Sequence, residues 1–380
     1  GGNMLTLKNI DVKNKKVILR VDYNVPIKDG KILDTNKIVA SLDTINYLLD
    51  NNAKIIIMSH LGKVKTEMDI ENNTLLPVKE VLSKLLNKEI LFSKELEGKH
   101  LEELVSNLKA KDILLLENTR VMDYPNKLES NCDEALSLYW SSLGEVYILD
   151  AFASSHRAHA STTGIPKYLP HAVGFLVEKE ITELDKIKNE TKTLLLGGAK
   201  VSDKIAMIKN LLPTTDKVLV GGAMCATFLK SEGYETGKTF VDDNLINECK
   251  TLIKTEKIVF PVDVVTETGS KEIDELTEDD IILDIGPLTI DMFEKLLKNK
   301  SLILINGTMG KYEDKLYENG TKEIFNYLNG KTSKVIVLGG DANSASTKYN
   351  FQAYYKSTGG GASLEYLSGE VLPALKIMED

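Results

Sequence analysis

Nine short apolar runs constrain this chain more than any other feature: KKVILRV, AKIIIMSH, DILLLEN, VYILDAF, TLLLGG, KVLVGG, KIVFPV, LILING and KVIVLGG. Each is continuous in apolar character rather than alternating, the pattern of strands buried on both faces, as in parallel sheets. Amphipathic segments of helical period separate them, among them VASLDTINYLLDN, PVKEVLSKLLN, EALSLYWSSLG and IDMFEKLLKN. Strand alternating with helix along the whole chain predicts an α/β, doubly wound architecture. At 380 residues the chain exceeds one comfortable core, so two domains are expected.

The residues that follow the runs are as telling as the runs. Nearly every run gives way at once to Gly, Asn, Asp, His or Arg: VDYN, SHLG, ENTR, DAF, GGAK, GGAM, NGTMG, GGDAN. In open α/β sheets ligands bind beyond the carboxyl ends of the strands, so the chemistry is expected there. The two halves differ. Before about residue 170 the strand ends carry Asp, Asn, His and Arg; after about 190 they carry Gly pairs, Lys and Asp. The stretch GFLVEKEITELDKIKNETK reads as a long charged helix connecting the halves. One half is suited to a small anion and the other to a polyphosphate.

Composition narrows the partners. Apolar content of 42% with 27% charged residues is that of a soluble globular protein. No run reaches the roughly 18–20 apolar residues of a membrane span. The opening GGNM has no basic segment ahead of an apolar stretch, so no signal peptide is expected. Cys132, Cys225 and Cys249 are odd in number and far apart, which predicts a reducing, cytoplasmic setting with neither disulfides nor a zinc site. A net charge of −9 disfavours nucleic acid as a partner.

The same chain holds 47 Lys+Arg, yet only Arg20, Arg120 and Arg157 are arginine. All three sit at or just past strand ends, where a guanidinium fork suits carboxylate or phosphate. Arg157 lies in DAFASSHRAH between His156 and His159, and His60 follows another strand. No carboxylate or cysteine shares those loops at ligand spacing, so the imidazoles read as hydrogen-bond donors to an oxyanion rather than metal ligands. Lys37 and Lys63 occupy similar positions in TNKIVAS and SHLGKVK.

In the second half, GGAKVSDK places Lys200 and Lys204 four apart, on one face of an expected helix. Glycines and a helix N-terminus there favour phosphate. LGGDANSAS offers Asp341 as a magnesium ligand, and STGGGASLE is a further glycine-rich turn opening a helix. GYETGKT has three residues, not four, between Gly233 and Gly237 and no strand ahead of it, so it is a surface turn rather than a P-loop. No G-x-G-x-x-G follows a strand, which disfavours a dinucleotide-dependent dehydrogenase.

RVDYNVP, MSHLG, LLENTR, DAFASSHRAHAS, GGAKVSDK, NGTMG, GGD and STGGGASLE together resemble the phosphoglycerate kinase family, in its order, from about Leu5 to Ile377. The resemblance implies two Rossmann-like lobes: 1–172 for 3-phosphoglycerate, a hinge helix over 173–191, a nucleotide lobe over 192–364, and a tail over 365–380 returning to the first. It implies a hinge-bending, cytoplasmic monomer that transfers a phosphoryl group between 1,3-bisphosphoglycerate and ADP, with Mg²⁺. Arg20, Asp22, Asn24, Lys37, His60, Lys63, Arg120, His156, Arg157 and His159 match the phosphoglycerate pocket. Gly197, Lys200, Lys204, Gly222, Asn306, Glu313, Gly339, Gly340 and Asp341 match the nucleotide site, with Asp341 on the metal. Gly197, Gly222, Gly339, Gly340 and Gly359 to Gly361 match that family's close-approach glycines. Lys37, Lys200, Lys204, Gly340 and Gly361 match positions that act on the transferring phosphoryl group.

The chain also departs from that family's pattern. Lys37 and Lys63 stand where arginines are usual, and Val64 where proline is. Ala342 replaces a threonine beside Asp341, Thr308 stands in NGTMG for proline, and Ala223 for glycine. Lysine keeps charge but loses the planar fork. A second reading is therefore a nucleotide-binding regulator or scaffold of the same fold with weakened turnover, and Lys37 and Ala342 are the discriminating positions.

Overall fold

The computed structural model describes residues 4–380; of the opening GGNM, residues 1–3 lie outside them. All nine apolar runs are strands, and they fall into two six-stranded, wholly parallel sheets. The first sheet runs Leu91–Ser93, Ile113–Leu116, Lys54–Met58, Lys16–Val21, Val146–Asp150, His171–Val173. The second runs Ile258–Val259, Thr215–Val220, Lys192–Leu196, Leu302–Asn306, Lys334–Leu338, Tyr355–Ser357. Central strands are buried along their length, Ile113–Leu116, Val146–Asp150, Lys192–Leu196 and Leu302–Asn306 at every residue. Burial on both faces is why these sequences are continuous rather than alternating.

Three edge strands, Leu91–Ser93, His171–Val173 and Tyr355–Ser357, have no apolar run of their own. Each is three residues long and gains its ladder from one neighbour. A small antiparallel sheet of Asp263–Thr266, Gly269–Glu272 and Asp284–Ile285 interrupts the alternation within the second half.

The chain divides into two compact units, residues 1–182 with 371–380 and residues 183–370. The division falls inside one continuous helix, Phe175–Asn189. The returning tail starts at Val371, later than the expected residue 365. The helix Gly360–Leu367 stays in the second unit, where Asn210 Nδ2 donates to the Leu367 carbonyl over 2.6 Å and Tyr366 Oη to Asp185. The tail itself rejoins the first unit through Ala374 N to the Ser155 carbonyl (3.0 Å) and His171 Nε2 to Asp380 (3.0 Å).

In the first unit Val17, Leu19, Ile55, Ile57, Ile113, Leu115 and Ile148 form the sheet face of one core, closed by Ile38, Ile45, Leu48, Val78 and Leu82 from helices. Each such side chain contributes about 1.5–3 kcal/mol on full burial. The strand carboxyl ends are left to polar residues, and they carry the candidate sites.

Candidate functional site

Four loops of the first unit converge on a cavity of about 780 Å³. Asp22 and Asn24 follow Lys16–Val21; His60 and Lys63 follow Lys54–Met58; Arg120 sits in the turn Thr119–Asp123 after Ile113–Leu116. His156, Arg157 and His159 follow Val146–Asp150, and Lys37 comes from the short helix Asn36–Ala40. Side-chain amides hold the loops. Asn118, fully buried, accepts from Leu61 N (2.9 Å) and Arg120 N (3.0 Å) and donates to the Leu61 and Asn73 carbonyls. Asn24 Oδ1 accepts from Gly62 N (2.9 Å).

Of the expected pocket residues, Arg20 alone does not line this cavity. It lies within its strand, in register with Met58 and Leu149, and is completely buried. Its guanidinium is taken up by Ser161 Oγ (2.9 Å), the Val21 carbonyl (2.6 Å) and His60 Nδ1 (3.1 Å). Lys37 Nζ meets Asp22 Oδ2 at 2.9 Å, and Arg120 Nε meets Asp123 Oδ2 at 2.8 Å. Arg157 is exposed, and its guanidinium has no partner among the described residues. Lys65, Asp123 and Lys127 also line the cavity and were missed by sequence reasoning. Asp123 carries a signal in retrospect, three residues after Arg120. Lys65 and Lys127 carry none, because lysine is the default cation of this chain.

The cavity thus gathers cations around imidazoles that stay neutral. Burial pushes His60 well below the ordinary histidine value, and Arg20, Arg120, His159 and Lys37 push it further. His159 is lowered too, mainly by burial, with Glu129 opposing. The sign of the linkage follows: the unfolded His60, near 6.5, takes up a proton that the folded ring refuses. Stability is therefore full above 6.5 and is lost as pH falls below it, by up to about 1.4 kcal/mol per pH unit for one proton. Urea melts of His60→Gln between about pH 7 and 5.5 should show a pH slope smaller by up to that amount than wild type; an unchanged slope contradicts the assignment.

In the second unit the glycine-rich loops sort into two kinds. At Gly197 an added Cβ would lie 1.9 Å from the Thr308 carbonyl oxygen, and at Gly222 (φ 67°) it would lie 2.7 Å from Gly198 backbone atoms. These glycines serve the packing of loop on loop rather than the approach of a ligand. Gly340 and Gly361 are different, with nothing within 4 Å of an added Cβ. Gly339 (φ 85°) turns the chain into the helix Gly340–Lys348.

Lys200 and Lys204 do not share a helical face. GGAKVSDK forms a 3-10 turn, Val201–Asp203, and the α-helix starts only at Ile205. Lys200 is exposed with its Nζ 5.7 Å from the Phe240 ring centroid, whereas Lys204 is buried and donates to Asn306 Oδ1. Asn306 is fixed in turn by donating to the Leu338 carbonyl (2.7 Å). Burial lowers the Lys204 pKa, and Asp203 and Asp341 oppose that.

Asp341 is exposed in the first turn of Gly340–Lys348, and Glu313 is exposed in the loop after Gly310. One open carboxylate fits Mg²⁺, which takes one or two carboxylates and completes its shell with phosphate oxygens and water. The neighbouring Ala342 is fully buried among core residues of the second unit.

Two doubly wound lobes, one with a cavity lined by cations and one with glycine-rich loops at its strand ends, are the architecture of an α/β phosphotransferase. The phosphoglycerate kinase family model matches residues 7–370. The phosphoglycerate kinase of Fusobacterium nucleatum is 43% identical over 98% of this chain and 99% of its own length, and that of Listeria innocua 45% over 98% of each. The solved structure of phosphoglycerate kinase from Coxiella burnetii covers 99% of this chain and 98% of its own, with a TM-score of 0.89 at 33% identity. The corresponding Pyrococcus horikoshii structure gives 0.83 at 30%. The chain belongs to the phosphoglycerate kinase family.

Proposed function

We propose that the phosphoglycerate kinase reaction, reversible phosphoryl transfer from 1,3-bisphosphoglycerate to ADP, runs in this chain on the residues assembled above. In the ATP-consuming direction the nucleophile is the carboxylate of 3-phosphoglycerate. It is ionised at neutral pH, so no general base is needed and catalysis reduces to positioning and charge. Arg120, Arg157, Lys63 and the imidazoles of His60, His156 and His159 hold the phosphoglycerate anion, His60 and His159 as neutral donors. Asp22, Asn24 and Lys37 complete the lining, with Lys37 paired to Asp22. Arg20 acts from behind, through His60.

The nucleotide phosphates lie along Gly339, Gly340 and Gly359 to Gly361, with Lys200 and Glu313 at the exposed side. Gly197 and Gly222 support those loops. Lys204, held by Asn306, places its charge toward the transferring group. Bound Mg²⁺, held by Asp341, would neutralise charge on the phosphate oxygens. The same reading takes the chain as a cytoplasmic monomer that bends at its connecting helix.

The single observation that carries the reading is the roughly 780 Å³ cavity lined both by Arg157, whose guanidinium has no partner among the described residues, and by two imidazoles of lowered pKa. Arg157→Ala should raise the 3-phosphoglycerate KM about 10–10²-fold and leave the nucleotide KM within about twofold. Steady-state kinetics with each substrate varied in turn checks this. An unchanged phosphoglycerate KM sinks the pocket assignment.

A further inference from the structure

Behind the cavity lies a buried polar chain of which the reaction as described uses only Arg20 and His60. Glu129 and Arg20 are both completely buried, and they are opposite in charge. They do not touch directly but meet through Ser161, in the π-helical turn Ala160–Gly164. Ser161 N donates to Glu129 Oε1 at 2.8 Å, and Ser161 Oγ donates to Glu129 Oε2 at 2.6 Å. Arg20 Nε donates to Ser161 Oγ at 2.9 Å. The Ser161 carbonyl is occupied as well, accepting from Tyr147 Oη at 2.6 Å. The serine is thus held on every polar atom, and its hydroxyl proton can point only toward Glu129.

The far end of the chain reaches the cavity. Arg20 NH2 lies 3.1 Å from His60 Nδ1, and His60 lines the cavity wall. Guanidinium nitrogens only donate, so Nδ1 must be the acceptor. A neutral imidazole has one proton, which then resides on Nε2. That leaves an N–H on the ring nitrogen that Arg20 does not occupy, available as a donor to an anion.

We propose that Glu129 and Ser161 are positioning residues for phosphoglycerate recognition: through Arg20 they lock His60 as the Nε2–H tautomer, so that it meets the substrate anion with a donor. This rests on the pocket assignment above. The physical reason for the relay is that Arg20 alone would not suffice. A buried guanidinium without a compensating carboxylate is costly and would seek another partner. With Glu129 anchoring Ser161, the fork has one orientation, and one nitrogen of it always faces Nδ1. Without the anchor, His60 is free to carry its proton on Nδ1 and to present the Nε2 lone pair to a phosphate or carboxylate oxygen, which repels it. The burial that keeps His60 uncharged makes the choice of tautomer matter, because a doubly protonated ring would donate from either nitrogen.

The test is nitrogen NMR on the full chain with ¹⁵N-labelled histidine, the His60 signals being assigned by their loss in His60→Gln. At about pH 7 the wild type should show His60 with a protonated Nε2 and a bare Nδ1. Ser161→Ala and, separately, Glu129→Gln should give a mixture of tautomers and a phosphoglycerate KM raised about tenfold, with the ADP KM unchanged. A wild-type His60 protonated on Nδ1, or on both nitrogens, overturns the proposal even if neither variant folds. So do folded variants that keep both the wild-type tautomer and the wild-type KM. Adding 3-phosphoglycerate separates this from the pocket assignment. If the wild-type His60 signal does not move, the pocket assignment itself fails. If it moves, and the variants bind as tightly as wild type, only the relay is wrong.

Discussion

Replacing Lys204 with methionine should lower the turnover number about 10²–10³-fold while the chain folds and still binds nucleotide. Lys204 is buried, and its ammonium is set by Asn306 rather than by a carboxylate. A cation held by a neutral partner in a low-dielectric site keeps its charge available for the phosphoryl oxygens, where it counts for far more than in water. Methionine matches the stem in length and packing, so the loss should read as charge rather than as a cavity. Steady-state kinetics together with equilibrium ADP binding separates the two. A turnover within about threefold of wild type would remove Lys204 from the transition state.

The second large effect concerns glycines that look alike in sequence. Gly197→Ala should destabilise the protein by about 2–4 kcal/mol, because the new Cβ would sit 1.9 Å from the Thr308 carbonyl oxygen and the atoms it meets are backbone rather than a side chain that could yield. For a unit of this size that is a fall in Tm of about 5–15 °C. Gly340→Ala should behave oppositely. Its Cβ meets nothing within 4 Å, and it opens a helix, so Tm holds or rises slightly. The ADP KM should nonetheless rise about tenfold, since the methyl occupies space assigned to the phosphates. Calorimetry and kinetics on the pair would give the same answer for both residues if the division into packing and ligand glycines were wrong.

The fold was legible where burial is two-sided. Runs such as VYIL and LILIN are continuous because both of their faces are buried, the pattern of interior strands of a parallel sheet. The three edge strands Leu91–Ser93, His171–Val173 and Tyr355–Ser357 and the antiparallel sheet around Asp263–Thr266 were not legible, because their segments are short, partly exposed and ordered by neighbours rather than by their own pattern. The cavity residues were legible for a related reason. In a chain so poor in arginine, Arg120 and Arg157 at strand ends stand out, whereas Lys65 and Lys127 are lost among many lysines. Arg20 was legible as important but not in its place, since its last two positions on the strand decide whether a side chain enters the cavity or the layer beneath it. The Lys200–Lys204 pair misled because spacing of four implies one face only if the helix has begun, and here a 3-10 turn intervenes.

Two departures from the family pattern now weigh differently. Ala342 is a core residue, packed away from solvent beside the exposed Asp341. Lys37 remains the position where a point charge replaces a fork, and it is paired with Asp22 at 2.9 Å. The measurement that decides whether that lysine suffices is ATP formation from 1,3-bisphosphoglycerate and Mg-ADP by the wild-type chain. Turnover within the roughly 1–10³ s⁻¹ typical of enzymes is the predicted result. Tight nucleotide binding with turnover more than about 10²-fold below that range would contradict it, and would make the chain a scaffold of this fold rather than a working kinase.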